Sequence, residues 1–118
     1  MAANAEELSE VRRLLENAGW GLEIPPQESC LDVLAANEYA VVGIVLDLRG
    51  QRLRQVWDAA EQFLADCGDS AGKPWRDLYL VFVLDDVKSE QDIVREMCDN
   101  TSVCRKVCLP RNGSAAEV

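Results

Sequence analysis

Asp47 and Asp85 each close an apolar run, and Asp86 adjoins the second of them. If the two runs are neighbouring parallel strands, these acids share the carboxyl edge of a sheet, where open α/β sheets bind their ligands. Carboxylates gathered there with a lysine from another strand, such as Lys106, would hold Mg²⁺ and stabilise phosphoryl chemistry. The order of the acids is not that of a receiver domain, whose acidic pair follows its first strand, and no PD…(D/E)xK nuclease pattern is present. Acidic strand ends also serve solubility and helix capping alone.

Other catalytic constellations are excluded more firmly. The chain has no histidine, which removes Ser-His, Cys-His and His-metal mechanisms. Of the five cysteines, Cys98, Cys104 and Cys108 lie closest together, but no CxxC pair is present. A structural zinc site would use such pairs, or Cys with His. The thiols are therefore expected to be packed side chains, with no metal and no cofactor. Their odd number, behind an acidic N-terminus without an apolar leader, points to reduced cysteines in the cytoplasm.

The remaining candidates are contact residues. Arg49, Arg52 and Arg54 form a small basic cluster at the start of a helix. It is either a solvated helix start or a contact for an acidic partner or phosphate. Arg105 alternates with Val103, Val107 and Leu109, so a charge shares a strand face with apolar neighbours and needs a partner or an exit to solvent. Arg105 and Lys106 either block unwanted pairing at an edge strand or contribute to an interface. Trp75 stands in a loop, after Pro74 and before an apolar strand, where it would cover the core or meet a partner.

The elements that position these residues follow from periodicity. Residues 5–18 carry Leu8, Val11, Leu14, Leu15 and Ala18 at helical spacing, and Gly19 stops the helix. Trp20 to Ile24 reads as a small strand ended by Pro25-Pro26, and Ser29 as the cap of a short helix, Cys30 to Ala36. Tyr39 to Leu48 and Leu78 to Leu84 are strands apolar enough to be buried on both faces, and Gly43 marks a close approach by another element. Between them lie an amphipathic helix, 51–66, and a loop, 67–77. A helix from about 90 to 98, opened by Ser89, leads to a last alternating strand, Val103 to Leu109. The expected fold is a single α/β domain, 1–110, with a partly parallel sheet of three to four strands and helices on both faces. Residues 111–118 are expected to be a disordered tail.

The whole-chain composition limits partners. In 118 residues, 21 acids outnumber 12 bases, a net charge of −9 without a basic segment. Strong nucleic-acid binding by this chain alone is therefore not expected. The longest apolar run, Ala40 to Leu46, falls far short of the roughly 20 residues that span a bilayer.

Trp75-Arg76-Asp77-Leu78-Tyr79-Leu80-Val81, followed by Asp99-Asn100-Thr101 and Cys104-Arg105-Lys106-Val107, resembles the middle components of prokaryotic ABC-three-component systems. The small subunit of Lamassu-type defence complexes looks like a relative of these. The resemblance covers a third to half of the chain and leaves residues 1–38 unaligned. It implies a small non-enzymatic subunit that couples an SMC-like or Rad50-like ABC ATPase to an effector in antiphage or antiplasmid defence. Trp75, Asp99, Thr101, Arg105 and Lys106 would then be structural or interface residues. Two other readings remain: a small Mg²⁺-dependent phosphotransfer or nuclease domain using the strand-end carboxylates, and an acidic immunity or antitoxin protein suited to a basic toxin.

Overall fold

Leu8, Val11 and Leu15 lie on one stripe of helix α1 (Ala5–Asn17), and that stripe packs onto a sheet. The structure, a computed structural model, describes residues 5–26, 29–48, 50–70, 77–85, 90–100 and 104–110. Five strands follow one another across the sheet in chain order: β1 (Gly21–Glu23), β2 (Val33–Ala36), β3 (Ala40–Val45), β4 (Asp77–Leu84) and β5 (Arg105–Pro110). β1, β2 and β3 form an antiparallel meander, whereas β3, β4 and β5 run parallel. Parallel neighbours need a crossover, and helices α2 (Leu53–Ser70) and α3 (Gln91–Asp99) supply the two.

The sheet separates two cores. On one face α2 and α3 bury Val41, Val45, Leu80, Phe82 and Leu84 with their own Val56, Trp57, Leu64 and Met97. On the other, α1 covers Val33, Ala35, Val42, Ile44 and Leu46. The α/β fold with helices on both faces and a partly parallel sheet is as expected. No helix among the described residues is long and apolar enough to cross a membrane.

Three local expectations change. Cys30 to Ala36 is not a helix: Ser29 and Cys30 form a turn, with Cys30 at φ +64°, and Val33–Ala36 is the strand β2. A short apolar run suits helix or strand equally, and here pairing on both sides by β1 and β3 decides it. This is why the sheet has five strands. Helix α2 continues to Ser70, past the expected end at residue 66. Pro110 closes β5 as its last residue instead of lying beyond it, which an edge strand tolerates because no ladder bond is demanded of its missing N–H. The Ser89 cap, the segment 71–76 and the tail 111–118 lie outside the described residues.

Gly43 behaves as its position in β3 suggested. A Cβ there would lie 2.9 Å from both methyl carbons of the buried Leu31, so the loop before β2 sits directly on the strand. Asn37 closes the β2–β3 turn: its side-chain oxygen accepts from the N–H groups of Tyr39 and Ala40, both at 2.8 Å.

Candidate functional site

The sheet topology brings the acids together at one edge. β3 and β4 are parallel neighbours, with Val45 opposite Phe82, so Asp47 and Asp85 both lie just beyond the carboxyl ends. β2 runs the other way, and its beginning therefore falls at the same edge. There Asp32, which the Ser29 cap reading placed in a short helix, accepts hydrogen bonds from the N–H groups of Leu46 (2.6 Å) and Asp47 (3.1 Å) through one carboxylate oxygen. Asp32 thus ties the start of β2 to the end of β3. Asp85 is exposed and Asp86 lies outside the described residues. Among the described residues no group of three or more His, Cys, Asp or Glu is placed to hold a metal ion.

Lys106 takes no part in that edge or in any exposed surface. It pairs with Leu80 in the middle of the ladder, four residues short of Leu84, or roughly 13 Å at the rise of a strand. Its side chain points into the α2/α3 core, where the residue is 4% exposed. The ammonium pairs with the Glu61 carboxylate and donates to the carbonyl of Asn100 at 2.5 Å, at the end of α3. The same Glu61 oxygen accepts from Trp57 Nε1 at 3.1 Å and from the Cys104 thiol at 3.9 Å. Lys106 and Arg54 both lie near the Trp57 ring, at 5.6 and 5.5 Å from its centroid, and Arg54 also pairs with Glu96 of α3. This is a polar bolt joining α2, α3 and β5. A buried ammonium needs both a counter-charge and filled hydrogen-bond positions, and this one has them. The sequence signal was a pair of opposite charges at inward positions: Lys106 between Cys104 and Cys108, and Glu61 four residues after Trp57.

Arg105 has the opposite environment. β5 alternates strictly, with Arg105, Val107 and Leu109 on the face that α1 only partly covers. Their ladder partners on β4 are Tyr79, Val81 and Val83, which are half-buried, while Leu80, Phe82 and Leu84 between them are fully enclosed by α2 and α3. The apolar run 78–84 is therefore buried on one face and half-open on the other, unlike β3, which is buried throughout. The reason is geometric: α1 packs mainly against β1 and β2, at the opposite side of the sheet from β5. Val107 and Leu109 remain 40% and 45% exposed. Arg105 makes no hydrogen bond or ion pair among the described residues. Arg52 is exposed at the start of α2; Arg49 and Trp75 lie outside the described residues.

Among the described residues, Cys30, Cys98, Cys104 and Cys108 are free thiols. Burial pushes Cys104 up to about 11; Lys106 pulls it down and Glu61 adds to the rise. Burial, with the neighbouring Cys98, pushes Cys108 up to about 12. Neither is an activated nucleophile, which would need a depressed value. No protein-family model matches the chain, and no curated protein or solved structure matches it significantly.

Proposed function

We propose that this chain is a non-enzymatic binding subunit of a bacterial multi-protein defence complex, working in the cytoplasm and coupling an SMC-like or Rad50-like ABC ATPase to an effector. The observation that carries the reading is the half-open β4–β5 face, where Tyr79, Val81, Val83, Val107 and Leu109 form an apolar strip with Arg105 at one end. An apolar strip that ends in an arginine and a tyrosine suits an interface, where Arg and aromatic residues are enriched. The identity of the partners rests on the resemblance of segments 75–81 and 99–107 to ABC-three-component middle components. Purification of the tagged chain from its host under mild conditions is expected to recover an ABC-type ATPase. Recovery of the chain alone, or with only a short toxin, overturns the reading, the latter in favour of an immunity protein.

One observation favours a second reading. Asp32, Asp47 and Asp85 come from three strand ends to one edge of the sheet, the edge where a Mg²⁺-dependent phosphodiesterase or phosphotransfer site would lie, although among the described residues they do not close into a group placed to hold a metal ion. Lys106 contributes nothing to such a site, because it is locked to Glu61. This reading expects Mg²⁺-dependent cleavage of single- or double-stranded DNA that Asp47→Asn abolishes. Equal background cleavage by both proteins eliminates it.

A further inference from the structure

We infer that the half-open β4–β5 face receives one amphipathic α-helix of a partner protein, and that an Asp or Glu of that helix sits against Arg105. The inference rests on the binding-subunit reading and specifies what that subunit binds. Its starting point is the contrast between two strands of similar composition. β3 is AVVGIV and buried at every position, because α1 covers one face and α2 the other. β4 is DLYLVFVL and carries as much apolar side chain, yet only its α2/α3 face is closed. β5 repeats the pattern, with Val107 and Leu109 outward. Among the described residues no helix of the α1 layer closes over the last two strands.

The dimensions suit one helix. Two strands about 4.8 Å apart present a strip close to the 10 Å diameter of a helix. The strip from Arg105 to Leu109 is roughly 13 Å long, the length of about nine helical residues, or two and a half turns. Such a helix would lay an apolar stripe at three- and four-residue spacing on Val81, Val83, Val107 and Leu109. Arg105 and Tyr79, directly opposite one another, form the polar end of the strip.

Charge selects the occupant. Arg105 is exposed and makes no ion pair among the described residues, which leaves its guanidinium open to an outside carboxylate, the group it binds in two-point geometry. A second copy of the chain is a poor occupant. Each copy carries a net charge of −9, and the matching face of a copy presents another Arg105. A strand added to the free edge of β5 would leave this face open and Arg105 unmatched.

Site-specific photo-crosslinking in the host tests the inference. p-Benzoylphenylalanine is placed at Leu109 and, as controls on other surfaces, at Asp58 and Glu10, both exposed. The crosslinked peptide is then sequenced by mass spectrometry. The expected result is a Leu109 adduct with one partner segment that has apolar residues at helical spacing and an Asp or Glu beside the stripe. Arg105→Glu is expected to lower that adduct about tenfold or more, with Arg105→Gln intermediate. A Lys in place of the partner carboxylate should restore the adduct of the Arg105→Glu chain. Circular dichroism checks that both variants are folded. An adduct with a second copy, or with a segment lacking helical periodicity or the acid, overturns the inference. Partner adducts from Asp58 or Glu10 but not from Leu109 overturn it while leaving the binding-subunit reading intact. No adduct from any position overturns both.

Discussion

Lys106 and Arg105 are adjacent in sequence and opposite in role. Strand alternation sends one inward and the other out. Removing one member of a buried pair leaves an uncompensated charge, so Lys106→Ala is expected to destabilise the fold by about 3–5 kcal/mol in urea titrations. The double variant Glu61→Leu/Lys106→Leu should lose less than the sum of the single variants, because no orphan charge remains. The thiols give a pH signature. Cys104 and Cys108 ionise only near 11 and 12 in the folded chain, against an ordinary value near 9. Between these values the folded state holds protons that the unfolded chain has released. Stability from these groups is therefore full below about 9 and falls as pH rises towards 11 to 12. Equilibrium unfolding at pH 8, 9 and 10 should show this decline, and Cys104→Ala/Cys108→Ala should flatten it. At pH 8, iodoacetamide should label the exposed Cys98 well before the buried Cys104 or the half-buried Cys108.

At the scale of elements, β2 holds the lesson. Its four residues, VLAA, give no usable period, and Ser29 stands where a helix cap would stand. What fixes it as a strand is non-local: the ladders to β1 and β3, and Asp32 anchoring the neighbouring strand end through two backbone N–H groups. The longer elements were legible from clean helical periods, from the alternation of the last strand and, in β3 and β4, from continuous apolar runs. α1, α2 and α3, the strands β3, β4 and β5, and the close approach at Gly43 could all be read from the residues. The acidic edge was half legible: Asp47 and Asp85 follow apolar runs, but Asp32 depended on knowing that β2 exists. The open face of β4 was not legible, since composition records only that a strand is apolar and not which neighbour covers it. Two variants probe this level. Gly43→Val should cost about 1–3 kcal/mol by forcing Leu31 aside. Asn37→Ala should cost about 1 kcal/mol by removing the acceptor of two turn N–H groups. Thermal melts of the two variants measure both.

At the scale of the molecule, an acidic α/β layer structure closes one face of its sheet with two helices and leaves the last two strands of the other face half-open. The net charge of −9 does not suit a phosphate backbone. A binding role through β4 and β5 brings these features together. The most direct test is native mass spectrometry of the tagged chain purified from its host, comparing wild type with Val107→Asp. The expected result is a defined complex of the 13.1 kDa chain with an ATPase subunit, lost in the folded variant. A wild-type chain found only as a free monomer, or a complex that Val107→Asp leaves intact, would contradict the account.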